Sequence, residues 1–515
     1  MRVAFYDSGY ETFGVQYLLS TLSAQGYDVR LFFDSSFSKD YLAQDFFLTG
    51  LLSLSPEQVS RNLLALEPDV ACFSLYTIFY QDNLAAVRLM KEEKPDLMVV
   101  CGGFHASLLP AKVLAHEQID FVVLGEAETS LPSLLNALGK SPIDEVKALP
   151  ADALPGVWNL HCGEVMDRGL SPIPHDLDEM PFPEKQMYYD ANPALASMYT
   201  AIGSRGCPYA CTYCNSATMN TLYRGYGERY YRVRSVENVI AELKEAKARF
   251  KPKHVMFFDD VFGAKREWLR EFSARYKAEV GLPYFCQTSP LIHDKESLAL
   301  LADSGCVLLE FGFQSANARV RGGVLNRRET NDSMQELLLE AIRLGMFTEL
   351  DLIANLPGET PEHLEEALDF VRATRPKWVN LSFLQFHPKT PITDTAVAEG
   401  MLTPEDVGRI EEGLHASSMR LLSKSSLGKR YRVLPFQVFF AFYLPPRLSK
   451  GFIRWAEKPI LSGLCSFFAS WFLYFSRILL SYTDKRDFLV RHHVVRSIRA
   501  ARWVLARKVF GVARH

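Results

Sequence analysis

Paired cysteines are scarce in this chain. Nine cysteines are spread over 515 residues. Six of them (Cys72, Cys101, Cys162, Cys286, Cys306 and Cys465) stand alone, and only one tight group exists. An odd count with a single cluster excludes a disulfide framework and points to a reducing compartment and a metal centre. An excess of charge of one sign is also missing. The net charge is -3 at pH 7, so nothing marks nucleic acid as a partner. No leader is apparent, because Met1–Phe5 is a short apolar run soon followed by Asp7 and reads as a first strand. No short internal repeat is present. Leu461–Ser481 approaches the ~20 residues a spanning helix needs, but four serines and Arg477 interrupt it, which argues against a clean span. What remains is ordinary: 48% apolar and 23% charged residues, enough for a sizeable core and two to four domains.

Strand-like and helix-like segments alternate over residues 1–140, which predicts a doubly wound parallel sheet. Residues 141–198 carry eight prolines and read as a connecting segment. A second alternating series over 199–395 supplies six candidate strands, from Tyr199–Gly203 to Val379–Leu384, and predicts an open or partial (β/α)6 barrel. Residues 396–515 change character and are expected to be helical, with aromatic runs at Leu434–Tyr443 and within Leu461–Ser481. From Lys485 onward there are nine Lys/Arg and one acid.

The chemistry concentrates in Gly203-Ser-Arg-Gly-Cys207-Pro-Tyr-Ala-Cys211-Thr-Tyr-Cys214, directly after the first strand of the second series. Thiolates at these spacings can wrap three corners of an iron–sulfur cubane and leave the fourth iron open. A zinc knuckle would need a further Cys or His nearby, and the nearest histidines are His175 and His254. The segment, with Tyr213 inside it, resembles the CxxxCxxC signature of radical S-adenosylmethionine (SAM) enzymes. That resemblance implies a [4Fe-4S] cluster on Cys207, Cys211 and Cys214, SAM chelated at the open iron, and an external donor of flavodoxin or ferredoxin type. Matching segments extend it over residues 199–390. Asp259 and Asp260 end the second strand and are expected to orient substrate or a SAM hydroxyl, against the bland reading of a helix cap. Glu310 and Gln314 on the fourth strand are candidate SAM contacts. Gly358 is expected to supply a turn.

Ahead of the barrel, three strand ends resemble the cobalamin-binding (B12-binding) domain that precedes many radical SAM domains. They are Ser74-Leu-Tyr-Thr77, Gly102-Gly103-Phe-His105 and Gly125-Glu126-Ala-Glu128. All lie where doubly wound sheets bind ligands. By this resemblance Ser74 and Thr77 hydrogen-bond a nucleotide tail, Gly102, Gly103, Gly125 and Glu126 admit the cofactor, and His105 stands in the site wall. The Asp-x-His-x-x-Gly motif of histidine-ligated cobalamin is absent; Asp34-Ser-Ser-Phe-Ser-Lys stands there instead.

Together these resemblances imply a fold of α/β class, a Rossmann-like B12-binding domain followed by a partial radical SAM barrel and a helical region. The implied activity is cobalamin-dependent C-methylation of a hydrophobic small molecule. A different radical reaction, such as cyclisation or oxidation, is the alternative on the same scaffold. From another class, a membrane-associated cobalamin- or redox-responsive binding protein is less consistent with the set of SAM-site loops, and an RNA methylthiotransferase lacks its second cysteine trio. The basic stretch from Arg491, with Arg or Lys at 496, 499, 502, 507 and 508, predicts an interfacial helix attracted to anionic lipid, so the chain is expected in the cytoplasm, in peripheral contact with the membrane. Its alternative is a helical lid on the barrel.

Overall fold

In the first half of the chain, apolar residues at successive positions of one strand serve opposite sheet faces. Val3, Phe5, Val70 and Cys72 join one buried cluster, and Ala4, Tyr6, Ala71 and Phe73 join another. A strand buried on both faces is the mark of a parallel sheet covered by helices. The computed structural model, which describes residues 1–36, 53–414, 434, 438 and 477–510, shows that sheet. Strands β1 (Arg2–Ser8), β2 (Asp28–Asp34), β3 (Val70–Ser74), β4 (Met98–Gly102) and β5 (Phe121–Val123) run parallel in the order β2-β1-β3-β4-β5. The order reverses between β1 and β3, so a crevice opens at their carboxyl ends.

The proline-rich segment does more than connect. Within it β6 (Val157–His161) and β7 (Glu164–Met166) form a hairpin that extends the sheet antiparallel to β5. Buried Arg168 fastens this hairpin through Val157 O at 2.9 Å and Leu149 O at 2.7 Å. Strands this short among prolines carry no clear period-two signal, so the sequence does not mark them.

The second sheet comprises β8 (Met198–Ala201), β11 (His254–Phe257), β12 (Tyr284–Thr288), β13 (Cys306–Gln314), β14 (Phe347–Ala354) and β15 (Trp378–Phe383). All six are parallel and neighbours follow chain order, as in an open barrel. A two-stranded ribbon, β9 (Ser204–Arg205) with β10 (Arg232–Val233), stands beside it. The carboxyl ends of the barrel strands face the first domain's crevice across a shared cavity.

The lower mouth of the barrel is closed by the C-terminal region. Phe488 packs with Met198, Phe285, Leu308, Phe347 and Trp378 and stacks on His254 with ring centroids 4.0 Å apart. Arg477 reaches buried Glu349 and donates to Asn380 Oδ1 at 2.7 Å. Leu434 and Val438, from the first aromatic run, are buried in the barrel core. The aromatic residues of both runs lie outside the described residues. The helix Phe488–Phe510 then crosses to the first domain, where Arg496 lies 4.0 Å from the Tyr10 ring centroid and donates to Gly9 O. Arg491 donates to Ser481 O and Lys485 O. Both arginines, expected on a lipid-facing basic surface, are turned to protein carbonyls.

Candidate functional site

Two cavities, each of about 460 Å³, meet at the carboxyl ends of both sheets. The first lies between the domains. Its wall includes Ser74, Gly102, Gly103, Gly125 and Glu126 from the three loops singled out in the sequence, together with the β1 loop Tyr10–Gly14. It also reaches Phe5, Cys72, Val100 and Val123 on one face of the first sheet, and Leu131 of the helix Ser130–Leu138. An elongated cofactor with a polar body and a tail ending in a flat aromatic base fits that combination of loop and slot. The second cavity is lined by Cys207, Cys211 and Cys214 together with Tyr213, Gln314 and Asp260.

The cysteine loop is built by local geometry. Gly206 turns at φ +74°, where a Cβ would stand 2.7 Å from the Tyr230 ring. Cys214 caps the helix Asn215–Gly225. Asn326 Nδ2 donates to Ala210 O at 2.8 Å and Thr212 Oγ1 to Val324 O at 2.6 Å, so a barrel turn straps the loop. All three thiols are half-buried and free. Burial pushes the Cys207 thiol up to about 12. At Cys211 burial also raises the thiol, and the Arg327 guanidinium, Nη1 3.8 Å from Sγ, opposes it. Three thiols in one cavity, with no fourth cysteine in the loop, suit a cubane held at three of its four irons, with the fourth left open.

The sequence candidates divide. Asp260 borders both cavities, and enclosure raises its carboxyl. Asp259 faces neither; its carboxylate accepts Gly203 N at 3.0 and 2.9 Å and Ser204 Oγ at 2.5 Å, holding the start of the cysteine loop. Gln314, at φ +68° beside a register shift of β13, faces the cysteine cavity. Glu310 is not in that wall. It sits behind it, accepting from Gln287 Nε2 at 3.2 Å, with its carboxyl raised by burial and by the neighbouring Asp351. Gln287 and Asp351 are the groups that reach the cavity. Thr77 and His105 also stand outside the interdomain cavity wall. Thr77 Oγ1 and His105 Nδ1 pair at 3.0 Å, His105 packs on Tyr80, and burial lowers the imidazole to about 4. No histidine lines that cavity among the described residues. Glu126 reaches the cavity, but both its oxygens are engaged by Arg205 and Arg232. Gly103 is at φ +87°, where a Cβ would stand 2.9 Å from Ser74 Oγ, so the crossing of two loops demands glycine there.

Sequence reasoning missed Arg327. It donates to Gly312 O at 2.6 Å and to the Tyr213 hydroxyl at 3.2 Å, pairs with Glu329, and presents a guanidinium to the cysteine cavity. One of the two adjacent arginines in Asn326-Arg327-Arg328 carries no signal until the fold places it.

A thiol-lined barrel mouth thus faces a doubly wound ligand crevice, two candidate cofactor sites side by side. The comparisons agree. Residues 202–371 match the radical SAM superfamily and residues 3–135 match the B12 binding domain. The chain is a radical SAM enzyme with a B12-binding domain, and its cofactors are a [4Fe-4S] cluster, SAM and cobalamin. It is 24% identical to an uncharacterized methyltransferase of Pyrococcus horikoshii, over 84% of this chain and 88% of that one. It is 25% identical to the anaerobic magnesium-protoporphyrin IX monomethyl ester cyclase of Rubrivivax gelatinosus (74% and 67%), and 26% identical to the hopanoid C-3 methylase of Methylococcus capsulatus (74% and 67%). Among solved structures, the cobalamin-dependent SAM radical enzyme OxsB with aqua-cobalamin bound shares the fold, with a TM-score of 0.64 at 15% identity, over 98% of this chain and 79% of that one.

Proposed function

We propose that the chain methylates a carbon of a lipophilic small molecule. The observation that carries this is the shared wall: Asp260 borders the cysteine cavity and the interdomain cavity at once. A substrate carbon held at that junction would face both cofactor sites. When bound, the cluster supplies the electron that cleaves SAM, and cobalamin supplies the methyl carrier that an unactivated carbon needs. Cys207, Cys211 and Cys214 would hold the cluster. Gln287, Gln314, Arg327 and Asp351 offer the donors and acceptors suited to the hydroxyls and carboxylate of SAM. Asp260 accepts a polar group at the junction, while Asp259 holds the loop beneath it. The Gly102–Gly103 and Gly125 loops would flank cobalamin, and no histidine among the described residues lines that cavity.

The apolar side of the interdomain cavity, with Phe13, Phe73, Phe104, Ile202, Met219 and Phe258, favours a hydrophobic substrate and excludes water from radical chemistry. Peripheral membrane contact from the cytoplasm fits the outer face of the C-terminal region. Leu479, Tyr482, Val495 and Ile498 are 69%, 65%, 47% and 50% exposed, beside exposed Lys485 and Arg499; such a mixed apolar and basic surface suits anionic lipid. No helix among the described residues is long and apolar enough to cross a membrane. The similarity to a cyclase favours a second reading, radical cyclisation without methyl transfer. Turnover separates the two. Methylation yields S-adenosylhomocysteine together with 5′-deoxyadenosine, whereas deoxyadenosine without S-adenosylhomocysteine selects the second reading.

A further inference from the structure

The cysteine loop is bolted to the first domain by buried charges. In the ribbon of β9 and β10, Arg205 stands directly opposite Arg232. Two adjacent guanidiniums repel unless carboxylates separate them, and the loop after β5 supplies these. Arg205 Nη1 lies 2.6 Å from Glu126 Oε2 and 2.7 Å from Glu128 Oε1, and Arg232 pairs with Glu126 Oε1. All four side chains are at most 13% exposed. Arg232 also donates to Pro174 O at 2.5 Å. From the helix that follows the cysteines, the Tyr223 hydroxyl accepts Glu126 N–H at 2.8 Å. That hydroxyl fills the space a Cβ at Gly125 would need, 2.1 Å away. Glycine at 125 is therefore demanded by the barrel's own tyrosine. Arg205 lies two residues before Cys207, so one end of the network holds the cysteine loop and the other holds a wall of the interdomain cavity.

We propose that Arg205, Arg232, Glu126 and Glu128 are positioning residues that set the spacing between the cobalamin and cluster sites, with Glu126 acting through this lock and not as a cofactor contact. The inference rests on the two-cofactor assignment. Replacing buried ion pairs with apolar residues is often neutral for stability, so a geometric role is the one to test. An arginine fork spanning two carboxylates imposes a geometry that lysine does not reproduce.

The test uses the full chain, reconstituted with cluster and cobalamin, in Glu128→Gln and Arg205→Lys forms. Iron and cobalamin content are measured first. Pulsed electron paramagnetic resonance then reads the dipolar interaction between Co(II) and the reduced cluster. Both variants are expected to keep parental cofactor content while the dipolar distribution shifts and broadens. Should either variant fail to load, Tyr223→Phe removes only the hydroxyl and leaves all four charges, with the same shift expected. An unchanged distribution in every variant that loads overturns the proposal. Loss of cobalamin alone at full iron content also overturns it, because the acids would then be direct ligands. Failure of the two-cofactor assignment looks different: the parent chain itself would hold no cobalamin.

Discussion

Arg477→Met tests how the C-terminal region holds the barrel. In the parent, the guanidinium neutralises Glu349, whose side chain is 3% exposed, and approaches Asp487, fully buried, at 3.7 Å. Burial raises the Glu349 carboxyl from its usual 4.5 to about 7, and Arg477 pulls against that rise. Removing the cation leaves a buried carboxylate uncompensated, which costs about 3–5 kcal/mol. The pH dependence follows from linkage. A carboxyl raised in the folded state adds stability that is fully present below 4.5 and is lost as pH climbs through about 7; that shift corresponds to about 3 kcal/mol. Without Arg477 the folded value rises further, so the loss grows on the alkaline side. Thermal scans by circular dichroism at pH 5.5 and pH 8 make the comparison. The variant should melt roughly 10 °C below the parent at pH 8 and much closer to it at pH 5.5. Adding Glu349→Gln should restore part of the loss. Equal melting of variant and parent at pH 8 would refute the reasoning.

Four further outcomes follow. Arg327→Ala should weaken SAM binding by about 10–100-fold, the worth of a charged hydrogen bond, at unchanged iron content, as read by calorimetric titration, with Arg327→Lys intermediate. Asp259→Asn should lower iron content and thermal stability, because that carboxylate holds Gly203 and Ser204. Asp260→Asn should leave both intact and depress turnover. His105→Ala should leave cobalamin titrations unchanged, and Co(II) spectra of the parent should show no coupling to an imidazole nitrogen of a protein residue.

Both sheets were legible because their strands announce themselves. Apolar residues at every position of Val70–Cys72 and Val99–Cys101 require burial on two faces, and glycines after the strands mark ligand loops. The three cysteines were legible because their spacing is local. Glu310 stands behind the cysteine cavity while Gln314 lines it because β13 carries a register shift near Gly312 and Gln314, so two residues of one strand end differ in what they face. His105 and Thr77 stand outside the interdomain cavity wall because a six-residue helix, Gly103–Leu108, begins at once after β4 and carries the imidazole into the core. The Arg205–Glu126 and Arg327–Tyr213 contacts join residues 79 and 114 apart, and no local pattern encodes pairings at such range. The proline-rich hairpin was hidden for the opposite reason: its strands are too short to show a period.

The most direct test of the account is anaerobic reconstitution of the full chain and of a Cys207→Ala, Cys211→Ala, Cys214→Ala form with iron, sulfide and cobalamin, followed by reduction with SAM present. The parent should show iron–sulfur absorbance, bind cobalamin and release 5′-deoxyadenosine. The triple variant should keep cobalamin and lose both the cluster absorbance and SAM cleavage. A triple variant with a normal cluster, or a reconstituted parent that never cleaves SAM, would contradict the account.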